Sequence, residues 1–152
     1  MSDDRAELWK LNHRVLTVVM NACTPDLAAL GLETKEFFVL DEVDACRFPA
    51  VLATKLMLPK ASVTMYLRNL SDKGLISREI DQADLRRHRL VTTDRGREVL
   101  RQALEALSRE FESRLRSLGE ADRAELRRIL SAILEAEPVG ACLLYTSPSP
   151  RD

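Results

Sequence analysis

Apolar residues recur at helical spacing along most of the chain. The first stripe steps by three or four residues, which predicts an amphipathic helix, and it consists of Leu8, Leu11, Val15, Val18 and Ala22. Thr24 and Pro25 resemble an N-cap followed by proline at the first helical position, so we expect this helix to kink or restart there. Gly31 closes the segment.

Three more helices are predicted before the first strand. Thr34 caps a helix over about 35–46, with an apolar face that consists of Phe37, Phe38, Leu40 and Val43. Pro49 opens a short helix that runs to about residue 57, and Pro59 opens a longer one over 60–73. The inward stripe of this fourth helix is Val63, Leu67 and Leu70. We expect Gly74 to end the helix in the left-handed conformation.

The pattern then changes from helical spacing to alternation. Residues 75–80 alternate in a way that predicts a strand with one buried face, and 88–92 supply a returning strand with Leu90 and Thr92 on one face. The polar segment 81–87 between them suits the tip of a hairpin.

The last third of the chain is predicted to be helical again. Thr93 or Asp94 caps a long helix, and the near-heptad stripe of that helix is Leu100, Leu104, Leu107, Phe111, Leu115 and Leu118. Gly119 precedes a last helix with apolar residues Leu126, Ile129, Leu130, Ile133 and Leu134. These stripes and the first one exceed what a single small core can cover, which indicates an association surface.

These elements predict a mainly α fold that contains a winged helix-turn-helix. We expect an N-terminal dimerisation helix in 1–33, the DNA-binding domain in 34–96 and C-terminal dimerisation helices in 97–137. The segment 138–152 has no amphipathic period and is interpreted as non-native or disordered, so Cys142 carries no functional weight.

Composition is typical of a globular protein, with 45% hydrophobic and 31% charged residues in 152. No apolar run approaches the roughly 18 residues of a membrane span, and the first residues do not resemble a secretory signal. Three cysteines without pairing spacing argue against a disulfide scaffold or a cysteine zinc site. We therefore expect a cytoplasmic protein without membrane contact.

The net charge of −1 hides a basic centre. Residues 1–54 carry a net −4, residues 55–101 a net +5 and residues 102–152 a net −2. A local positive field attracts a polyanion even when the total charge is near zero.

In a winged helix-turn-helix the second helix of the pair enters the DNA major groove. The residues on its outer and N-terminal faces are Lys60, Ser62, Thr64, Met65 and Arg68. Hydroxyls near a helix N-terminus can bond phosphates, and Arg68 can reach a guanine or a phosphate. At the hairpin tip, Arg86 and Arg87 can enter a narrow minor groove, and Asp84 can orient such an arginine through a charge-assisted bond.

Two stretches carry a family resemblance. Lys-Gly-Leu-Ile-Ser-Arg over 73–78, and the wing from Asp81 through Asp84, Arg86 and Arg87 to Thr-Thr-Asp-Arg-Gly over 92–96, resemble the multiple antibiotic resistance regulator (MarR) family. The match in order and spacing covers about residues 8–137. Two positions depart from the family pattern: Pro59 stands where a serine cap is common, and Thr92 where leucine is common.

The resemblance implies a homodimeric transcriptional regulator, usually a repressor, that binds a pseudo-palindromic operator in double-stranded DNA. It also implies release by a small phenolic or anionic ligand, or by thiol oxidation, and dimerisation through the terminal helices. By carry-over, Ser62, Thr64 and Arg68 lie on the recognition helix, and Asp84 with Arg86 forms the wing tip. Family analogy also suggests an effector pocket, whose candidate residues are Trp9, His13, Phe37 and Phe38.

Other functions find less support in the sequence. No phosphate loop, nucleophile motif or spaced carboxylate pair indicates an enzyme, and His13 and His88 do not have metal-ligand spacing. We predict no cofactor and no metal. A thiol sensor that uses Cys23 or Cys46 remains an alternative, as does a winged helix that binds protein instead of DNA. The latter would bind duplex DNA weakly and with little salt dependence.

Overall fold

A computed structural model describes residues 2–136, which form six helices and one antiparallel hairpin. In chain order the elements are α1 (Ser2–Ala29), α2 (Thr34–Cys46), α3 (Pro49–Lys55), α4 (Lys60–Asp72), β1 (Ile76–Ile80), β2 (His88–Thr92), α5 (Asp94–Arg114) and α6 (Glu120–Glu135). The mainly α winged helix-turn-helix is thereby confirmed. The interpretation of 138–152, including Cys142, lies outside the described residues.

Helix α1 continues through Pro25, so the predicted restart there is wrong. The Thr24 hydroxyl donates to the carbonyl of Met20 at 3.1 Å, within the helix and not as an N-cap. Cys23 and Leu27, on either side of the proline, are both buried. Their packing holds the helix together where proline removes one backbone donor.

The protein core is built around α2. Its buried residues include Phe37, Leu40 and Val43, as predicted, but Phe38 is only half-buried, and Val39 lies inside in its place. This face packs against the inward stripe of α4, whose members Val63, Leu67 and Leu70 are all buried as expected.

The helix-turn-helix pair is α3 and α4. Helix α3 ends at Lys55, two residues before the predicted end, because the chain turns through Met57 at a φ of 52°. The Pro59 carbonyl accepts the Val63 N–H at 3.1 Å and so begins α4 without a side-chain cap. Gly74 has a φ of 71°, which confirms the predicted left-handed end.

The two strands pair antiparallel, with Ile76 opposite Thr92 and Ile80 opposite His88. Only the base of the hairpin is buried, and Ile80 is 52% exposed, so the prediction of a buried face along the whole of β1 is wrong. The hairpin extends beyond the core, which ends near Leu90. Thr92 is buried as predicted, and its hydroxyl has no hydrogen-bond partner among residues 2–136.

Helix α5 begins where it touches the base of the hairpin. The Thr93 hydroxyl accepts the Gly96 N–H at 3.0 Å, and the Thr93 N–H donates to the carbonyl of Leu75, also at 3.0 Å. A Cβ on Gly96 would lie 2.0 Å from the same Leu75 oxygen, so only glycine fits here.

Residues 2–136 divide into two compact units, one that ends at Glu112 and one that begins at Ser113. Helix α5 ends at Arg114, so Leu115 and Leu118 belong to the turn that follows and not to the predicted helical stripe. In the second unit, α6 buries none of its side chains.

Within the described residues no single helix is long and apolar enough to cross a bilayer. Helices α1 and α2 meet the length and composition criteria only as a pair, bent by 83°.

Candidate nucleic-acid interface

The outward edge of α4 is polar and accessible. Lys60, Thr64, Met65 and Arg68 are exposed, and Ser62 is half-buried, while the opposite face packs into the core. The Thr64 hydroxyl donates to the Lys60 carbonyl at 3.0 Å, so it bonds its own helix in the free protein. Four of the five residues predicted for this helix therefore lie together on one accessible edge.

A buried carboxylate fixes α4 against α2. Glu36 is 1% exposed and accepts from the Lys73 ammonium at 2.5 Å, the Asn69 amide at 3.1 Å and the Glu33 N–H at 3.1 Å. Burial raises the pKa of Glu36, whereas the hydrogen bonds from Lys73, Glu33 and Asn69 lower it. Together the bonds outweigh burial, so the pKa lies below its usual value of 4.5. This network sets the rotation of α4 and so the direction of its exposed edge.

Sequence reasoning missed this network. The pairing of Glu36 with Asn69 and Lys73 spans more than 30 residues, so no local spacing indicates it. The available signal is Glu36 itself, a charged residue between apolar residues on the inward face of a predicted helix.

The tip of the hairpin is held by its own carboxylates. Asp81 accepts the N–H of Ala83, and Asp84 accepts the N–H of Arg86, both at 3.1 Å. Asp84 therefore bonds the backbone of the turn, and the expectation that it pairs with an arginine side chain is wrong. Short polar side chains often stabilise turns in this way.

The two arginines at the tip differ. The guanidinium of Arg87 lies 4.1 Å from the centre of the Phe48 ring, in a cation–π contact that joins the hairpin to the start of α3. Arg86 makes no side-chain hydrogen bond or ion pair with any part of the chain that the structure describes. Arg86 is therefore available to an outside partner, whereas Arg87 holds one face of its guanidinium against the Phe48 ring and stays exposed.

A cavity of about 250 Å³ lies between α4 and β1, directly beside the exposed edge. Its lining residues are Thr64, Leu67, Arg68, Ser71, Asp72, Ile76, Ser77 and Arg78. Two of the residues predicted to read DNA thus also border a concave surface.

The four effector-pocket candidates form two separate ring pairs. Trp9 stacks on His13 with ring centres 6.2 Å apart, and Phe37 meets Phe38 edge-on at 5.3 Å. Trp9 is 67% exposed, whereas Phe37 belongs to the core. A pocket shared by all four residues stays a prediction.

Both described cysteines are buried. The Cys23 thiol donates to the carbonyl of Ala106 at 3.7 Å, and burial raises the pKa of Cys46, with a smaller opposing effect from Lys55. A raised pKa keeps a thiol protonated and unreactive, so these surroundings do not favour the thiol-sensor alternative. Within residues 2–136 no three His, Cys, Asp or Glu side chains form a possible metal site.

No protein-family model and no curated protein sequence matches this chain. Solved structures do match it. A MarR family protein from Bacillus stearothermophilus is 18% identical, with a TM-score of 0.76 over 88% of this chain and 95% of that one. The apo form of wild-type MarR from E. coli is 22% identical, with a TM-score of 0.69 over 84% and 96%.

A third match carries a ligand in its own structure. CouR from Rhodococcus jostii RHA1, bound to p-coumaroyl-CoA, is 20% identical, with a TM-score of 0.67 over 84% of this chain and 92% of that one. Identities this low establish shape and not activity. The chain has the fold of the MarR family of winged helix-turn-helix proteins.

Proposed function

We propose that this protein is a homodimeric, sequence-specific regulator of transcription that binds double-stranded DNA. The observation that carries the proposal is the accessible edge of α4, with Lys60, Thr64 and Arg68, beside a hairpin that presents Arg86, whose side chain has no partner in the described part of the chain. In winged helix-turn-helix proteins such an edge enters the major groove, and an arginine at the wing enters the adjacent minor groove. A regulator of this kind acts in the cytoplasm, most often as a repressor.

Selection of bound duplexes from a random pool, at fixed salt concentration, tests the proposal. We expect an inverted repeat with half-sites about one helical turn apart, because a two-fold dimer presents two equivalent α4 helices. Enrichment of no sequence, together with binding that ignores salt, would favour a protein-binding winged helix and contradict the proposal.

Loss of either Arg68 or Arg86, the two arginines proposed to contact DNA, is expected to weaken operator binding. Arg86→Ala should lower affinity about tenfold for all sequences and reduce the slope of log affinity against log salt by about one. Arg68→Ala should also lower affinity and relax the preference for one base pair. Fluorescence anisotropy across a salt series measures both effects.

Arg109→Ala is the matched control for the two arginine variants, since it removes one exposed positive charge of α5, from a pair with Glu105 at 3.5 Å. We expect it to leave affinity unchanged. An equal loss in all three variants would mean that total charge, and not this face, determines binding.

Dimerisation is proposed to bury the apolar residues that α1 and α6 expose. In α1 these are Leu8, Trp9, Leu11, Val15, Leu16 and Val18, and in α6 they are Ile129, Leu130, Ile133 and Leu134. Exposed apolar stripes of this kind mark association surfaces in globular proteins.

A charge placed within the α1 stripe is expected to dissociate the dimer. Val15→Glu should reduce the mass in solution from twice the chain mass of 17.2 kDa to once that mass, because a carboxylate in an apolar interface loses its hydration. Val51→Glu in α3 is the control, since Val51 is also 47% exposed but lies outside the proposed interface. Sedimentation at several concentrations distinguishes the two. A dimer that persists in Val15→Glu would place the interface elsewhere.

We further propose that a small aromatic or anionic ligand releases the DNA. A dimer can place its two α4 helices in successive major grooves only when their separation matches one helical turn of DNA. A ligand that binds better to another separation shifts the population away from the DNA-binding state.

A further inference from the structure

A second cavity, of about 270 Å³, lies on a part of the protein that the proposed DNA contacts do not use. Its lining residues are Asp44, Arg47, Arg89, Leu90, Val91 and Arg97, from the end of α2, strand β2 and the first turns of α5. Three guanidinium groups therefore border one concave space, against a single carboxylate.

The carboxylate of that cavity is already used. Asp44 accepts the backbone N–H of Thr92 at 2.8 Å, which ties β2 to the end of α2. Asp44 makes no ion pair with Arg47, Arg89 or Arg97 in the described structure. Asp44 therefore offsets part of the local charge but occupies none of the arginine donors.

Some hydrogen-bond donors of these arginines are unused within the described residues. Arg89 pairs with Glu79 at 3.2 Å, and Arg97 pairs with Asp94 at 2.5 Å and with the carbonyl of Thr92 at 2.6 Å. The Nε of Arg89 is nevertheless buried without an acceptor, and the Arg47 guanidinium makes no bond within residues 2–136. A buried donor without a partner is costly and uncommon, and an ion is one of its ordinary partners.

The backbone brings Arg47 and Arg89 together. Arg47 ends α2 with a φ of 61°, and its carbonyl accepts the N–H of Leu90, the neighbour of Arg89, at 2.7 Å. The two side chains therefore start from hydrogen-bonded neighbouring segments. An oxyanion between them would add a third link between the end of α2 and the hairpin, beside the bonds from Thr92 to Asp44 and from Leu90 to Arg47.

We propose that this cavity binds a small oxyanion, a carboxylate or a phosphate, through Arg47 and Arg89, with Arg97 at its edge. Planar guanidinium groups bind both anions with paired hydrogen bonds. The concave shape and the buried Nε favour a small molecule over a duplex phosphate, because the DNA backbone meets a protein on its exposed surface. Any effect of this anion on the contact between the hairpin and DNA rests on the proposed function, but the binding of the anion to the cavity does not.

Calorimetric titration of the full chain without DNA, at constant ionic strength, tests the site with inorganic phosphate and with benzoate. We expect one site per chain for at least one of the two anions. Whichever anion binds shows whether the site takes a phosphate or a carboxylate group. Benzamide, which has the shape of benzoate without its charge, should not bind. If neither anion binds, the proposal is wrong.

Two variants locate the site. Arg89→Gln and Arg47→Gln should each weaken anion binding about tenfold or more, because each removes charged hydrogen bonds. Arg95→Gln, a neighbouring exposed arginine of α5 outside the cavity, should not change it. Unchanged melting temperatures would show that the variants are folded. If one of the two variants does not fold, the other still tests the site.

Two further outcomes would overturn the proposal. Anion binding that survives in both Arg47→Gln and Arg89→Gln would place the site elsewhere. If neither anion binds and Arg89→Gln lowers the DNA affinity and its salt slope, the arginines contact the duplex. Failure of all DNA binding, in contrast, would refute the proposed function and leave the anion titration valid.

Discussion

Replacing Gly96 by alanine is expected to lower the free energy of unfolding by about 3 kcal/mol, the upper range for an overpacked site. The added Cβ would lie 2.0 Å from the Leu75 oxygen, 2.9 Å from the Leu75 carbonyl carbon and 2.8 Å from Cγ2 of Thr92. Two of these are backbone atoms, so no side-chain rotation relieves the contact. The first turn of α5 must move away from the base of the hairpin, which strains the Thr93–Leu75 hydrogen bond.

Urea unfolding of the parent chain, of Gly96→Ala and of a second glycine variant measures this effect. Gly119→Ala is the control, since a Cβ added there would lie 4.0 Å from the Asp122 carboxylate, an ordinary contact distance, and the φ of Gly119 is −67°. We expect a loss below about 1 kcal/mol there, the usual effect of a helix N-cap change. Similar losses in the two variants would mean that the close approach at Gly96 relaxes easily.

Glu36→Gln is expected to destabilise the protein by about 2 kcal/mol, because the bonds from Lys73, Asn69 and Glu33 lose a charged acceptor. The value lies below the usual cost of breaking a fully buried ion pair, since Lys73 is 38% exposed and recovers part of its hydration. Glu42→Gln is the control. Glu42 pairs with Lys55 at 2.6 Å, a similar distance, but at the surface, where a pair contributes about 0–1 kcal/mol.

The pH dependence of the same variant identifies the charge as the cause. The pKa of Glu36 is below 4.5 in the folded protein, so its contribution is complete above the unfolded pKa and is lost as the pH falls through the folded pKa. The difference between the parent chain and Glu36→Gln should therefore shrink below about pH 4.5, the ordinary pKa of this carboxyl. A difference that stays constant down to pH 2 would assign the loss to packing alone.

Elements whose packing follows local periodicity could be predicted from the sequence. Val63, Leu67 and Leu70 of α4 are buried as their spacing predicts, and Gly74 ends the helix as expected. The same spacing also predicted the exposed edge that carries Thr64 and Arg68. A helix that buries one face necessarily exposes the other, so core pattern and candidate site follow from one periodicity.

Features that depend on distant contacts could not be predicted. Pro25 and Thr24 resemble a helix start, but packing around Cys23 and Leu27 overrides that local signal. The alternation of β1 does not reveal that the core ends before Ile80. The stripe of α5 runs on to Leu118, although the helix ends at Arg114. The signal at Pro25 was wrong in kind, whereas the patterns of β1 and α5 were correct in kind and wrong in extent.

The site showed the same limit. Arg86 and Arg87 are adjacent in sequence and look equivalent there, yet Arg87 lies over the Phe48 ring from another part of the chain. The contact between Arg47 and β2 is likewise invisible in the sequence, because it depends on a left-handed residue that is not glycine.

The carboxylates that close the hairpin tip have a consequence for recognition. Asp81 and Asp84 hold the turn in one conformation before any DNA is present, and the ring contact of Arg87 anchors its last residue. A preorganised loop loses little conformational entropy on binding, so more of the energy of its contacts appears as affinity. Such a loop also adapts poorly. If Arg86 enters the minor groove as proposed, a DNA site with its narrow groove displaced by one base pair would lose that contact, and the distance between the core motif and a flanking A·T tract would be part of the recognised signal.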